Sequence, residues 1–145
     1  MRLASFIRDM PARVSAGAFI LNSGLSKLSA DEQTASGLHQ MATGAYPFLG
    51  SMKPQDFARL LGVGEVAVGT ALLLPVVPSG VAGLLLTGFS GGLLGLYIKI
   101  PGMRQEGRLR PTQQGIPLAK DSWLLGIGAS LVLSDVVERF SGTEG

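Results

Sequence analysis

From Leu60 to Ile98 the chain carries a single charged residue, Glu65. This constrains the fold more than any other feature of the sequence. A bilayer crossing needs about 20 predominantly apolar residues, so the stretch has room for two helices and a tight turn. Pro75-Val76-Val77-Pro78-Ser79-Gly80 supplies the turn. A soluble core helix alternates polar and apolar faces, whereas Ser79 to Ile98 is apolar nearly all round. The segment reads as a transmembrane helix.

Two further segments have the same character on a smaller scale. Val14 to Ser26 is bounded by Arg13 and Lys27. At about 1.5 Å per residue it covers about 20 Å of a core that is about 30 Å thick. Arg and Lys at its ends can snorkel, and the apolar run extends to Leu28 and Ala30. Ser122 to Val137 follows Asp121 and opens on Trp123, where an interfacial aromatic anchor would sit. The alternative for both is a peripheral or re-entrant helix. The expected fold is all-α: an integral membrane four-helix bundle forming a single domain, with spans near 12–30, 56–77, 79–100 and 121–138. A short amphipathic segment precedes it, with Leu3, Phe6, Ile7 and Met10 at helical spacing and Arg2 and Arg8 for lipid headgroups. Pro11 then suits the first turn of the next helix. Two longer connections complete the plan. The first, Ala30 to Gln55, is expected as a surface-lying helix or a loop folded over the bundle end, with His39 in it. The second, Pro101 to Lys120, is expected as an extended loop carrying Arg104, Arg108 and Arg110.

Composition removes several function classes. Charged residues make up 15% of the chain against about 25% in typical globular proteins, and 46% is hydrophobic, which argues against disorder. The absence of Cys removes disulfides, thiolate metal sites and Cys redox chemistry. Twelve basic residues against ten acidic ones leave no nucleic-acid footprint. One His cannot provide bis-His haem ligation, and His39 with Met41 lie too close in sequence to take opposite axial positions. Asp31, Glu32 and His39 could be drawn together as a metal site, but a solvated loop is the simpler reading. No metal and no cofactor is expected.

Three motifs in order resemble the DoxX-like family of small membrane proteins. Arg13-x3-Gly17-x-Phe19-x4-Gly24-x2-Lys27-Leu28 resembles that family's first helix. Gly62-x2-Glu65-x3-Gly69-x2-Leu72-Leu73 resembles its second, and Lys120-Asp121-x2-Leu124-Leu125-Gly126 the start of its fourth. The resemblance implies a four-helix membrane protein linked to respiratory or sulfur-oxidising quinone chemistry, often as a small partner subunit. The Arg-rich third connection has no counterpart among these motifs.

With four spans, one side of the bundle collects the end of helix 1, the start of helix 2, the end of helix 3 and the start of helix 4. Glu65 lies six residues, about 9 Å, after Arg59, in the half nearer that side. Lys27, Tyr97, Lys99 and Lys120 approach the same half, and Asn22 and Ser23 sit one turn deeper. An acid in hydrocarbon faces the bundle interior and finds partners, so Glu65 is expected to point inward and meet Lys27 or a polar group of helix 1. It is either a proton-handling or quinone-contacting group, or a polar clamp that fixes packing. The clamp is preferred, because one acid without a second acid or His nearby makes a poor relay.

The third expected span is dense in small residues. Gly83, Thr87, Gly91 and Gly95 recur every fourth position, and Gly88 and Gly92 make a second row. Gly126 and Ser130 repeat the spacing on the last helix. Such ridges let helix backbones approach closely in lipid, either inside the bundle or against another protein. The basic residues give no consistent orientation: their greater number on the Glu65 side places that side in the cytoplasm, while the three Arg before the first span argue the reverse.

The function expected from this reading is a non-catalytic accessory subunit of a larger membrane complex, of the respiratory electron-transport chain, in a bacterial plasma membrane. Its partners would be lipid and other integral membrane subunits, including cytochrome-bearing ones. The alternatives are a carrier or small oxidoreductase component acting on a quinone-like lipid-soluble substrate, and a scaffold that recruits a soluble redox partner through its loops.

Overall fold

The structure, a computed structural model, describes residues 2–99, 113 and 121–142. The described residues form five α-helices and no strand. They are α1 (Arg2–Leu28), α2 (Glu32–Ala45), α3 (Pro54–Leu73), α4 (Ser79–Lys99) and α5 (Asp121–Ser141), with a 3-10 turn at Pro47–Ser51. The Arg-rich connection expected before α5, with Arg104, Arg108, Arg110 and Lys120, lies outside the described residues.

Local chemistry accounts for most helix ends. Asp31 caps α2 by accepting a 2.7 Å hydrogen bond from the Thr34 backbone N–H. Hydrogen bonding from the Thr34 side chain, and then from its backbone N–H, holds the Asp31 carboxyl below its ordinary range. α3 opens on Pro54 with Asp56 in its first turn, and stops at Leu73, one residue before the Leu74-Pro75 step. The turn to α4 closes through Val77 N–H donating to the Leu74 carbonyl, 3.2 Å.

The long helices pack as two antiparallel pairs, α1 on α3 and α4 on α5, with thinner contact between the pairs. Glycine makes each pair close. Gly17 and Gly24 of α1 are seven residues apart, as are Gly62 and Gly69 of α3, and seven residues are about two helical turns. Gly24 meets Gly62, and Gly17 meets Gly69. A Cβ on Gly24 would lie 2.8 Å from the Gly62 carbonyl oxygen, and one on Gly69 would lie 2.7 Å from the Leu21 backbone nitrogen. In the second pair a Cβ on Gly83 would lie 2.7 Å from the Gly128 carbonyl oxygen. Between the pairs, Ala16, Ile20, Val68 and Leu72 join Ala82, Leu86 and Leu131 in one buried cluster.

The large apolar side chains point the other way. Phe19 is 67% exposed and Leu84 63%, and Leu60, Val63, Trp123, Leu133 and Val137 are exposed too. α4 is long and apolar enough to cross a membrane, and only 28% of its apolar window is buried. It is the one described helix with that combination of length and composition.

Three expectations are corrected. The N-terminal segment is not a separate amphipathic piece: α1 runs unbroken from Arg2 through Pro11 to Leu28. An interior proline costs a helix about 3 kcal/mol. Here Arg8 and Asp9, just before it, are tied to Ser134 of α5, a tertiary contact that opposes a break. His39 sits on a helix, α2, so the Ala30–Gln55 connection takes the helical of its two expected forms, and the solvated loop drawn for Asp31, Glu32 and His39 is the part corrected. The small-residue row of α4 does not form one face. Each four-residue step overshoots a full turn by about 40°, so three steps rotate the row by about 120°. Gly83 and Thr87 meet α5, Gly91 has open space, and Gly95 lies under the Tyr46 hydroxyl.

Filling the α1–α3 crossing should therefore be costly and filling the outer face of α4 cheap. Gly69→Leu should lower stability by roughly 1–3 kcal/mol or more. Gly91→Leu should stay within about 0.5 kcal/mol of the parent. Unfolding followed by circular dichroism separates the two; equal losses would contradict this packing. The Asp31 cap gives a pH test. With its folded-state pKa lowered, the cap contributes fully above the ordinary carboxylate value and is lost as acid protonates Asp31. Amide exchange at Thr34 should quicken in that range, and Asp31→Ala should remove the dependence.

Candidate functional site

The α1–α3 pair is locked at both ends by buried charge. At one end Arg13, 2% exposed, closes the C-terminus of α3. Its Nε donates to the Leu72 carbonyl at 2.8 Å, and its Nη2 to the carbonyls of Ala71 at 2.9 Å and Leu74 at 2.8 Å. Nη1 reaches the Ser79 hydroxyl at 3.3 Å, at the start of α4. A helix leaves its last four carbonyls without intrahelical partners, and one guanidinium satisfies three acceptors of this turn. The Phe6 ring lies 5.9 Å from the guanidinium carbon. Nearby, Asp9 is buried, paired with Arg8 at 3.1 Å and accepting from the Ser134 hydroxyl. This end therefore also ties α1 to α5.

At the other end Glu65, 3% exposed, takes Lys27. The Lys27 Nζ lies 2.9 Å from Oε1 and 3.1 Å from Oε2, and 2.7 Å from the Ser23 hydroxyl one turn back. The pair lies at the polar end of a cavity of about 410 Å³ between the two helix pairs. α2 contributes Leu38, Met41 and Ala42 to its wall, α3 Phe57 and Leu61, and α4 Phe89, Leu93 and Leu96. Asp121, in the first turn of α5, lines the same cavity and is electrostatically coupled to both Glu65 and Lys27.

The other residues singled out in the sequence fall elsewhere. Asn22 is exposed and does not line the cavity; it lies in an adjoining open groove that shares Phe19, Ser23, Lys27 and Leu38 with the cavity wall. Tyr97 is buried and does not line it. Lys99 is exposed and sits over the Tyr46 ring, 4.7 Å from its centroid. Gly83 and Thr87 belong to the α4–α5 contact. Gly88, Gly91, Gly92, Gly126 and Ser130 are exposed, and nothing lies within 4 Å of a Cβ built on any of those four glycines. The Gly92 carbonyl accepts from the Tyr46 hydroxyl at 3.0 Å. The His39 Nε2 lies 2.8 Å from the Leu49 carbonyl oxygen, and its ring centroid 5.7 Å from that of Phe57, fastening α2 to the 3-10 turn. Asp31 is committed to its cap. Among the described residues no three His, Cys, Asp or Glu side chains are grouped to hold a metal ion.

Sequence reasoning missed four participants. Asp121 supplies a second acid beside Glu65; its signal is its place at the start of a helix that begins on the Glu65 side. Arg13 reads as a snorkelling flank but is turned into the protein. Asp9 reads as part of a surface segment. Gly128, two residues from the expected Gly126, is the glycine that meets α4.

Comparison with known protein families, with curated proteins and with solved structures finds no match. The chemistry rests on the geometry. The site holds an ion pair and a further carboxylate in an apolar chamber. Such a group can clamp helices, hold a proton or counter a ligand's charge.

Lys27→Met leaves Glu65 buried without its cation and should cost about 3–5 kcal/mol. Lys27→Met with Glu65→Met removes both charges and should recover most of that loss. A thermal or denaturant double-mutant cycle reads this directly; a double variant as weak as the single one would contradict the clamp. Arg13→Met strips the partners from buried carbonyls and should cost about 3 kcal/mol or more, with amide exchange quickened at the end of α3.

Proposed function

We propose that this chain is a four-span integral membrane protein acting as a non-catalytic accessory subunit of a larger membrane complex. The distribution of side-chain size supports the membrane reading. Small residues fill the helix crossings, and large apolar ones cover the outside of α1, α3, α4 and α5. That is the pattern helices adopt when close backbone approach, rather than expulsion of water, drives their association.

The observation that carries the subunit reading is the outer face of α4. Gly88 and Gly91 are exposed with open space above them, between the exposed Leu84 and Leu85 on one side and Ile98 on the other. The small residues that serve this chain's own packing, Gly80, Gly83 and Thr87, are already used against α5. A helix from another subunit can approach the remaining face as closely as α3 approaches α1. The respiratory assignment rests on the motifs resembling the DoxX-like family. The structure sets Arg13, Gly17, Gly24 and Lys27 of the first motif against Leu72, Gly69, Gly62 and Glu65 of the second. The motif residues are thus the joint between two helices.

The test is gentle-detergent purification of the tagged chain from native membranes, with mass spectrometry and a visible spectrum. Cytochrome subunits at fixed stoichiometry with haem bands are the expected result, and a lone, colourless 15.1 kDa protein would overturn the proposal. Gly91→Leu should weaken the association while leaving the thermal midpoint unchanged; full association by a folded variant would exclude this face.

A further inference from the structure

The cavity between the helix pairs is not accounted for by the subunit reading. Its volume, about 410 Å³, falls within the ~300–1,000 Å³ range of small-molecule sites. Phe19 and Met41, both exposed, belong to its wall. Phe19 forms a lip shared with the open groove that Asn22, Ser26 and Asp31 line. Behind the lip the wall is apolar: Ile20, Leu61, Phe89, Leu93, Leu96 and Leu124.

Among the described residues lining the cavity there are two carboxylates, Glu65 and Asp121, and one cation, Lys27. Lys27 is spent on Glu65 through both carboxylate oxygens. The positive end of the α5 dipole offsets part of the Asp121 charge. In an apolar chamber the remaining negative charge favours a cation, because Coulomb attraction there is far less attenuated than in water.

We infer that this cavity binds a small single-tailed lipophilic amine, its ammonium group at Asp121 beside the Lys27–Glu65 pair and its tail among Leu61, Phe89 and Leu93. The site disfavours a carboxylate head, which would meet two like charges. A neutral head leaves the Asp121 charge uncompensated. The chamber is too small for a two-tailed lipid, which sets a free amphiphile apart from a membrane headgroup. The binding is independent of any subunit docked on α4.

A matched set of probes tests this on the full chain in phosphatidylcholine nanodiscs, with empty nanodiscs subtracting partition into lipid. Octylammonium, octanol and octanoate share a tail and differ in head charge. Ligand-observed NMR titration should give saturable binding of octylammonium, with octanol at least about tenfold weaker and octanoate weaker still. Asp121→Asn, at a half-buried helix start, should weaken octylammonium about tenfold while leaving octanol unchanged. Leu93→Trp, which fills the tail region, should abolish saturable binding of all three. Octanol or octanoate binding as tightly as octylammonium would overturn the inference. So would full octylammonium affinity in Asp121→Asn, or in a folded Leu93→Trp.

Discussion

Where α1 crosses α3, backbone touches backbone, and the rest of the structure is arranged around that approach. Gly17 and Gly24 meet Gly69 and Gly62 so closely that a methyl group on Gly24 or Gly69 would collide with main-chain atoms. Close packing alone leaves a smooth contact that can slide. The charged groups at either end remove that freedom. Arg13 grips the last carbonyls of α3 at one end, and Lys27 holds Glu65 at the other. Buried ion pairs contribute little net stability, and register is their best-attested role. Here the pair holds the register that brings glycine opposite glycine.

The second pair, α4 on α5, uses the same device through Gly83 and Gly128 but is joined to the first by less contact. Two tight pairs joined loosely leave space between them. One end of that space is filled by Ala16, Ile20, Leu72, Leu86 and Leu131. The other is left as the chamber into which Lys27, Glu65 and Asp121 face, with α2 across it. The cavity thus follows from the pairing scheme: each pair spends its small residues on its own crossing, and larger side chains keep the pairs apart.

Legibility in the sequence followed the range of the interaction. The Pro75–Pro78 turn and the helices on either side of it were readable because proline and continuous apolarity act locally. The inward aim of Glu65 toward Lys27 came from counting rise along two helices, and the structure sets the two 2.9 Å apart. Asp121 is not legible as a partner, because it is joined to the pair only through the fold. Pro11 reads as a helix start because its local cost is real, while the contacts of Arg8 and Asp9 with Ser134 span more than a hundred residues. The α4 glycine row looked like one ridge because four-residue spacing is close to a turn; the mismatch shows only over several turns.

By itself the sequence determined the helical character of the chain, the apolarity of α4, the sharp turn before it, and the presence of one isolated acid in an apolar run. These depend on backbone propensity and on the transfer of side chains out of water, which neighbouring residues settle among themselves. Tertiary structure alone decided which glycines are joints and which are open surface, that Arg13 points inward, and that Asp121 shares a chamber with Lys27 and Glu65. Those outcomes depend on the rotation of each helix about its axis. That rotation is set by the best simultaneous fit of all the crossings, a property no single segment carries.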